Sequence, residues 1–600
     1  MNRRFVRCVA LAICCGLDIS SLVFASPASL PAVIEAGIAK GLPQTVLVSF
    51  DATGINAAAQ MRRAPGSLFD DAGSLAFKVK EYAALKQQTL ALAAHGNIDV
   101  VADYSHLPMM LLRLRSVAAA NWLLARKEVT GIYEDRLLYP VLTQSLPLIG
   151  QPAVASAGYT GAGTTVVVLD TGVNYTLADF GSCTAPGVPA SCKVVVAQDL
   201  APDDGQLDDT GHGTNVSAIV AGVAPGAKLA VFDVFNGAGA SSSTVISGIN
   251  WAIANKAAYN VVAINMSLGD GVKYTAPCSS AATNSFLTPI ANAYSAGISS
   301  VVASGNNQYL DGMSSPACTP NAISVGAVYD SNMGSISFTG LCTDSTTAAD
   351  KVTCFSNSAS FLTLLAPGAL ITAGGSTQAG TSQASPHVAG AIAVLRAKFS
   401  SDTLSQMLAR LTSSGIPVLD TRNGITKPRL NLLQAARPDH DIFSAPLVLT
   451  GTDGQATASS VLASKESGEP NHAGNLGGAS VWFIWTAPSS GTFTFSTQGS
   501  SFDTLLAVYQ GNAVNALTLI ASNNNDGSAG GASSVIINAV AGQTYHIAVD
   551  GNNGVSGNII LLWSSSVDIP VLPAWGSAMF ALMLAGIGVT ARRVWNREEA

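Results

Sequence analysis

Four short motifs carry side chains that can together perform covalent catalysis. In chain order they are Asp170-Thr171-Gly172, Gly211-His212-Gly213, Ser304-Gly305-Asn306 and Gly380-Thr381-Ser382. A serine hydroxyl is a poor nucleophile at its own pKa, so a neighbouring base must remove its proton. Histidine is suited to that proton transfer near neutral pH, and a carboxylate can orient its imidazole ring. Ser382, His212 and Asp170 are therefore candidates for a nucleophile, its base and the orienting acid.

The pattern around each motif indicates the element that would hold it. Thr165–Leu169 and Val301–Ala303 are continuous apolar runs typical of buried parallel strands, and α/β sheets place their sites at the carboxyl ends of such strands. Ser382 stands at the start of a helix pattern, where unpaired N–H groups and the helix dipole favour negative charge. Each motif alone also fits a turn or a helix cap, and only their combination indicates a catalytic site.

In the order Asp, His, Asn, Ser, the motifs resemble the subtilisin-like serine peptidase family, S8, over residues 145–436. Further stretches that agree with the family are Val262–Gly269, Ile323–Val328 and Leu365–Gly368. The resemblance implies an α/β catalytic domain built on a parallel sheet. It also implies that the protein hydrolyses peptide bonds in protein or peptide substrates through a Ser-His-Asp triad.

The resemblance assigns a role to each matching residue. Ser382 would attack the peptide carbonyl, His212 would act as base and then as acid, and Asp170 would orient the imidazole. The side chain of Asn306 and the backbone N–H of Ser382 would bind the developing oxyanion. The residues that would line the bound substrate strand are Ser267, Leu268 and Gly269.

Two residues that follow Ser382 need separate interpretation. The family usually has methionine where Gln383 stands, and because this position lies outside the triad we expect a tuned pocket with activity retained. In the family His387 is a structural residue, so it is not a candidate base. If His212 is the base, activity should fall in acid with a midpoint near pH 6 to 7, and a flat rate from pH 5 to 9 would count against it.

The composition of the 600-residue chain narrows the class of protein further. Charged residues make up 11%, the net charge is −7 and the pI is near 5.5, which argues against a basic nucleic-acid-binding protein. Apolar residues reach 48%, which argues against a disordered chain. At this length we expect several domains and no nucleic-acid partner.

Both ends of the chain have the pattern of targeting segments. A basic start, an apolar stretch and small residues ending at Ala25 predict a secretory signal peptide over residues 1–25, with an uncleaved anchor as the alternative. Residues 569–600 combine a proline-rich lead ending in Trp575-Gly576, an apolar run and three arginines, and they resemble the bacterial IPTL-CTERM sorting signals. This segment predicts a transmembrane helix that anchors the protein, with a plain tail anchor as the alternative. The protein is therefore expected to be exported, either extracellular or associated with the cell envelope.

Residues 26–144 precede the catalytic region and form a unit of their own. Strand patterns alternate here with helix patterns such as Ser74–Ala94, which predicts a small α+β domain. The region resembles the inhibitor-type propeptide of the same family, which implies an intramolecular inhibitor released by autocleavage between about Tyr139 and Gly150. The alternative is a separate binding domain.

Residues 443–566 show strand patterns and no convincing helix, which predicts an all-β domain. Three stretches resemble the bacterial pre-peptidase C-terminal domain, which implies a β-sandwich of jelly-roll type: Phe502–Tyr509, Ala521–Gly527 and Ala541–Gly551. Trp482 and Trp485 would either face a ligand or pack in the core, and core packing is the favoured interpretation.

Six cysteines remain after the predicted signal peptide, and an even count in an exported chain favours disulfides over a zinc site. Fifteen connectivities are possible. The pairing we expect joins neighbours: Cys183 with Cys192, Cys278 with Cys318, and Cys342 with Cys354.

The resemblance implies that the function requires no cofactor. A structural Ca²⁺ is the one metal that it suggests, because family members often hold this ion in loops. The acidic stretch Asp203–Asp209 is the candidate, but its spacing does not match an EF-hand pattern, so a solvated loop is the favoured interpretation. The sequence therefore predicts a secreted or surface-sorted serine endopeptidase made as a self-inhibited precursor. The alternatives are a non-catalytic surface-binding protein that retains a protease shell and a processing peptidase of narrow specificity.

Overall fold

The computed structural model describes residues 30, 32–63, 70–91, 97–134, 142, 144–202, 205–528 and 530–565. It divides the chain between Tyr139 and Pro140 into two compact units. The predicted signal peptide (1–25) and the predicted sorting segment with its transmembrane helix (569–600) lie outside the described residues. Within the described ranges, no helix is long and apolar enough to cross a membrane.

The first unit is a four-stranded antiparallel sheet accompanied by helices. Its elements are α1 (Ala32–Ala39), β1 (Gln44–Phe50), α2 (Thr53–Gln60), α3 (Ala72–Leu90), β2 (Ile98–Tyr104), β3 (Met109–Leu114), α4 (Val117–Leu124) and β4 (Val129–Glu134). The strand order is β2-β3-β1-β4. Alternate residues of β1, Val46, Val48 and Phe50, are buried in a shared core because successive strand side chains point to opposite faces. The unit is thus an α+β arrangement, and its role as a propeptide stays a prediction.

The second unit begins with the elements of the region 145–436. They are α5 (Ser145–Leu148), α6 (Gln151–Ser156), β5 (Thr165–Asp170), β6 (Val194–Asp199), α7 (His212–Val223), β7 (Lys228–Asp233), β8 (Phe235–Asn236), β9 (Gly239–Ala240), α8 (Ser242–Ala254), α9 (Lys256–Tyr259), β10 (Val261–Met266), α10 (Leu287–Ser295), β11 (Ser299–Ala303), β12 (Ala322–Val328), β13 (Ile336–Phe338), β14 (Cys342–Asp344), β15 (Leu364–Pro367), β16 (Ile371–Ala373), β17 (Ser376–Gln378), α11 (Thr381–Lys398), α12 (Leu404–Ser413), β18 (Ile416–Asp420), β19 (Ile425–Arg429) and α13 (Leu432–Ala435).

A nine-stranded sheet organises this region in the order β18-β19-β15-β12-β11-β10-β5-β7-β6. Its strand pairs are parallel except for the edge pair β18–β19. Within β5, Val166 and Val168 pack into one core and Val167 and Leu169 into another. A strand with both faces covered requires a continuous apolar run, which explains the pattern of Thr165–Leu169. The predicted parallel α/β catalytic domain is confirmed.

The three disulfides join neighbouring cysteines. The bonded pairs are Cys183–Cys192, Cys278–Cys318 and Cys342–Cys354. The pairing expected from the sequence is therefore confirmed.

The C-terminal part of the second unit consists of two sheets that share one core. Its strands are β20 (Leu447–Leu449), β21 (Gly454–Ser459), β22 (Val481–Thr486), β23 (Gly491–Ser496), β24 (Thr504–Gln510), β25 (Thr518–Asn523), β26 (Ser534–Ala539), β27 (Thr544–Gly551) and β28 (Asn558–Ser565). The sheet orders are β20-β22-β27-β24-β25 and β21-β28-β23-β26. Trp482 and Trp485 are both fully buried, which confirms the core-packing interpretation for the two tryptophans. The resemblance to a pre-peptidase domain stays a prediction.

Candidate active site

Five of the sequence-predicted residues converge at one edge of the nine-stranded sheet. Asp170 ends β5, and Ser267 follows the end of the adjacent strand β10. Asn306 lies three residues beyond β11, the next strand in the sheet. Because parallel strands bring their carboxyl ends to the same edge, these residues become neighbours. Helices α7 and α11 begin at this edge, as hydrogen bonds from their first turns to strand-end residues show.

His212 and Asp170 form a close hydrogen bond. The Nδ1 atom of His212 lies 2.6 Å from Oδ1 of Asp170. Asp170 is fully buried, and its Oδ1 also accepts the backbone N–H of Thr171 at 2.9 Å. Burial of the imidazole opposes its protonation, but the negative charge and hydrogen bond of Asp170, with a contribution from Asp208, raise the pKa of His212 above its ordinary value. The pair is thus an imidazole oriented and made more basic by a buried carboxylate.

Asp208 organises the loop that delivers His212 to this edge. Its carboxylate accepts the backbone N–H groups of Gly211 at 2.8 Å and Thr214 at 2.7 Å, at the start of α7. It also accepts the hydroxyl of Thr171 at 2.7 Å, which ties the loop to the residue after Asp170. A carboxylate that accepts N–H groups at a helix start both caps the helix and complements its dipole. The position of Asp208 four residues before His212, ahead of a helix pattern, is the sequence signal that indicates this capping role.

A close backbone approach holds the start of α7 against the end of β5. A Cβ atom on Gly213 would lie 2.2 Å from the carbonyl oxygen of Gly172, so only glycine fits this position. Direct backbone packing therefore joins the two glycine-containing motifs, Asp170-Thr171-Gly172 and Gly211-His212-Gly213. This packing fixes His212 relative to Asp170.

Ser382 occupies the first turn of α11 and contacts the segment after β10. Its hydroxyl donates to the backbone oxygen of Ser267 at 3.2 Å, and among the described hydrogen bonds none joins it to His212. The hydroxyl of Ser267 in turn donates to the backbone oxygen of Ser382 at 2.7 Å and lies 2.9 Å from Oγ of Ser385. Ser267 is buried and its side chain points under α11, so only its backbone is available to a substrate strand.

Asn306 is held by its amide oxygen, which leaves its amide nitrogen on the other side. Oδ1 accepts the backbone N–H of Thr381 at 2.8 Å and the Thr381 hydroxyl at 2.9 Å. A Cβ atom on Gly380 would lie 3.1 Å from Nδ2 of Asn306. A side chain at position 380 would therefore crowd Nδ2 of Asn306, which lies beside the first turn of α11.

The other two predicted substrate-lining residues border a pocket next to the segment after β10. Leu268 and Gly269 line a pocket of about 340 Å³ together with Phe235, Val245 and Phe286. Its lining is mixed, because Ser242, Asp270 and Ser315 also border it. The pocket lies next to the segment that starts at Ser267.

His387 lies inside α11 and does not take part in the site. It is fully buried, and its Nδ1 lies 2.8 Å from the backbone oxygen of Gln383. Burial lowers the pKa of His387 to about 4, so the ring is neutral at physiological pH. Its structural position agrees with its exclusion as a base.

Carboxylates also end β7, which is next to β5, and β6, which is next to β7. Asp233 of β7 pairs in register with Asp170 of β5 and with Asp199 of β6. Burial, together with the negative charges of Asp209, Asp199 and Asp208, raises the pKa of Asp233 to about 7. Among the described residues, no three His, Cys, Asp or Glu side chains are arranged to hold a metal ion. Residues 203 and 204 of the acidic stretch lie outside the described ranges, and a structural Ca²⁺ stays a prediction.

Replacing Asp233 by asparagine should stabilise the protein at pH 8 and have little effect at pH 4. The pKa of this carboxyl rises from 3.8 to about 7 on folding. Ionisation of Asp233 therefore lowers the free energy of unfolding progressively as the pH rises through this interval, and the full loss is present above it. The backbone N–H of Phe235 donates to Oδ1 of Asp233 at 2.8 Å. Asparagine keeps this acceptor oxygen and removes the negative charge.

We expect the melting temperature to rise by roughly 2–4 °C at pH 8, measured by scanning calorimetry with Ser382→Ala in both proteins so that no reaction at the site interferes. Asp439→Asn is the control, because the Asp439 side chain is 58% exposed and should contribute little to the free energy of unfolding. An equal gain at pH 4 and pH 8 would contradict the raised pKa of Asp233.

Comparison with known proteins identifies the relatives of this region. The model of the subtilase family matches residues 161–432. The chain is 32% identical to alkaline protease 1 of Aspergillus clavatus over 320 residues, which cover 48% of this chain and 70% of that protein. It is 30% identical to subtilisin E of Bacillus subtilis over 372 residues, which cover 57% of this chain and 87% of that protein.

A solved structure of a cold-adapted subtilisin-like serine proteinase is 29% identical, with a match that covers 45% of this chain and 89% of that one at a TM-score of 0.36. The family match spans the strand ends and helix starts that carry Asp170, His212, Asn306 and Ser382. The chain belongs to the subtilase family.

Proposed function

We propose that this protein is an exported serine endopeptidase that hydrolyses peptide bonds with Ser382 as nucleophile, His212 as base and Asp170 as the orienting acid. The observation that carries the proposal is the 2.6 Å contact between His212 Nδ1 and Asp170 Oδ1 at the sheet edge where Ser382 also lies. A non-catalytic protein that retains a protease shell would have no need of this oriented, more basic imidazole.

The contact between His212 and Asp170 supports one arrangement of the protons in the proposed mechanism. Because Asp170 is an acceptor, Nδ1 of His212 carries the proton and Nε2 is left to accept one from Ser382. The Ser382 hydroxyl donates to the Ser267 backbone oxygen in the free protein, and it turns toward His212 when a substrate carbonyl arrives. Ser382 Oγ then bonds to the carbonyl carbon, and His212 gives the proton to the leaving amine nitrogen. Water then gives a proton to His212 Nε2 and bonds to the acyl carbon. The bond from that carbon to Ser382 Oγ breaks, and His212 returns the proton to Oγ.

Two donors at the start of α11 are proposed to bind the oxyanion. The amide Nδ2 of Asn306 faces the space beside Gly380, and the backbone N–H of Ser382 belongs to the first helical turn. Their positions are fixed before substrate binds, so little reorganisation is needed as negative charge develops. The substrate backbone would lie along Ser267-Leu268-Gly269, and one of its side chains would enter the pocket beside Leu268 and Phe235.

The first unit is proposed to be an inhibitory propeptide that the catalytic domain removes. The chain divides into compact units between Tyr139 and Pro140, within the stretch where cleavage is expected. Residues from 145 onward are integrated into the catalytic domain, since Leu148 O accepts from the Arg429 guanidinium and Ile149 O accepts from the Leu432 N–H, both at 2.8 Å. The cleavage site is therefore proposed to lie before Ser145.

We further propose that the protein is exported and sorted to the cell surface. The two-sheet C-terminal part would then act as a spacer or as a binding module. The three disulfides are typical of proteins that fold in an oxidising compartment.

The decisive experiment is labelling of the full chain with a serine-directed fluorophosphonate, followed by peptide mapping. Label on Ser382 together with hydrolysis of a denatured protein substrate is the expected result. Absence of both label and hydrolysis in a correctly folded chain would favour a non-catalytic binding protein.

Activity should fall as the pH is lowered, with a midpoint above the ordinary histidine pKa of about 6.5. Only the unprotonated imidazole can accept the Ser382 proton, and Asp170 raises the pKa of His212, so the acid limb moves to higher pH. The measurement is kcat/KM for a peptide anilide from pH 5 to 9. A rate that does not change over this range would contradict His212 as the base.

A further inference from the structure

A buried side-chain bridge connects the two helices that carry Ser382 and His212. Gln383 follows Ser382 in α11 and is 1% exposed, and Asn215 lies three residues after His212 in α7 and is fully buried. Gln383 Nε2 donates to Asn215 Oδ1 at 3.2 Å and lies 3.4 Å from Oε1 of Gln378. The first turns of the two helices are therefore joined directly by side-chain amides.

The β16–β17 hairpin is the third member of this bridge. Asn215 Nδ2 donates to the backbone oxygens of Ala373 at 2.9 Å and Ser376 at 3.0 Å. Gln378, at the end of β17, donates through Nε2 to the backbone oxygen of Gly211 at 3.2 Å. Gly211 precedes His212, so the hairpin is attached to the histidine segment at two points.

The orientation of each amide follows from its partners. Backbone oxygens are acceptors, so Asn215 must direct Nδ2 toward the hairpin and Oδ1 toward Gln383. Gln383 must then present Nε2 to Asn215. Its Oε1 faces Gly380 on the opposite side, 3.1 Å from where a Cβ of that glycine would lie. The bridge thus has one self-consistent arrangement, and a side chain without a donor at position 383 cannot form it.

The bridge acts at the end of the helix pair where the chemistry is proposed. At the other end the helices touch through packing, since a Cβ on Gly390 of α11 would lie 2.7 Å from Cβ of Val223 in α7. Rotation of one helix about that contact would change the separation of Ser382 and His212 at the near end. Displacements of about 1 Å in reacting groups can lower a rate about 100-fold, so control of this rotation has kinetic consequences.

We propose that Gln383, Asn215 and Gln378 are positioning residues that set the separation of Ser382 and His212 in this protein. The inference rests on the proposed function of those two residues. None of the three amides needs to touch the substrate, because each acts through the helix start or hairpin to which it is bonded. A methionine at position 383 would have no donor for Asn215, so the bridge depends on the glutamine of this chain.

The first test compares two glutamine-to-methionine variants that contact the same helix at opposite ends. Gln383→Met removes the donor to Asn215. Gln151→Met is the matched control, because Gln151 is also buried and donates through Nε2 to the backbone oxygen of Val223 at 3.2 Å. Gln383→Met loses the hydrogen bonds to Asn215 and Gln378, and Gln151→Met loses the one to Val223, but only Gln383 lies beside Ser382 and His212.

We expect Gln383→Met to lower kcat for a peptide anilide about 10-fold with KM within about twofold of the wild type. Gln151→Met should leave kcat unchanged while its melting temperature falls by a similar amount, as a purely structural loss would. The double variant Gln383→Met with Asn215→Leu should have the kcat of the slower single variant, because both break one bridge. Unchanged kcat in Gln383→Met, an equal fall in Gln151→Met, or multiplicative effects in the double variant would overturn the proposal.

A second measurement decides the inference without using activity. In Ser382→Ala protein, hydrogen exchange of the backbone amides in 211–215 and 381–385 should become about 10-fold faster together when Gln383→Met is added, and not with Gln151→Met. Faster exchange confined to 381–385 would show that the two helix starts are not coupled, and the proposal would fall. If the wild type hydrolyses no peptide, the proposed function fails, while the exchange result still decides whether the bridge exists. Gln378→Met is the alternative variant should Gln383→Met not fold.

Discussion

A Ser382→Ala chain should hydrolyse no peptide above background and should keep its first unit. Alanine lacks the hydroxyl that attacks the carbonyl, so kcat is expected to fall about a million-fold, with the residual rate supplied by substrate binding and the oxyanion donors. If the catalytic domain cuts its own chain before Ser145, the wild type will be lighter than the variant by the mass of residues 26–144, about 12 kDa at the average residue mass of this 61.0 kDa chain. Intact-mass spectrometry and a peptide-anilide assay on the same preparations measure both effects.

The two measurements test two separate claims. The peptide-anilide assay tests Ser382 as the nucleophile, and the intact mass tests the first unit as a propeptide. Ser247→Ala is the control, because the Ser247 hydroxyl only donates to the Ser243 backbone oxygen on the exposed side of α8, and it should behave as wild type. An active wild type with unchanged mass would contradict the propeptide proposal and leave Ser382 as nucleophile. Turnover by Ser382→Ala at a tenth of the wild-type rate or more would exclude Ser382 from that role.

Local sequence was sufficient to predict the parts of the site that depend on single elements. The apolar run Thr165–Leu169 can only be a strand covered on both faces, and a polar residue at its end must then lie at the sheet edge. This strand pattern acts over a few residues, so the residue types alone carry it. The reason for Gly213 is not local, because this glycine packs against the backbone of Gly172, which is distant in sequence.

Contacts between distant parts of the chain could not be predicted in this way. Gln383 and Asn215 are 168 residues apart, and Ser267 turns its hydroxyl under α11 although the motif suggested a substrate-facing residue. In the first unit, α1, α2 and β2 have no clear local signal, because their apolar residues follow no regular period: β2, for example, exposes both Val100 and Val101. Tertiary packing determines these features, and one sequence does not encode it in a local pattern.

Asp170→Asn should lower kcat about 10⁴-fold and shift the acid limb of the rate profile to lower pH. The N–H of Thr171 donates to Oδ1 of Asp170, so asparagine is expected to place its carbonyl oxygen there and still accept the proton of His212 Nδ1. The ring then keeps its orientation and loses the neighbouring negative charge. The imidazolium formed as Ser382 attacks is no longer stabilised, which explains the slow rate.

The direction of the pH shift follows from the same loss of charge. In the wild type burial lowers the pKa of His212, while the charge and hydrogen bond of Asp170 and the charge of Asp208 together outweigh it. Removing the charge of Asp170 lowers the pKa of His212 relative to the wild type, so the remaining activity persists to lower pH. The measurement is kcat/KM from pH 5 to 9 for the wild type, Asp170→Asn and the remote control Asp439→Asn, which should match the wild type. A limb that moves to higher pH, or a loss of less than tenfold, would contradict Asp170 as the residue that orients and charges the base.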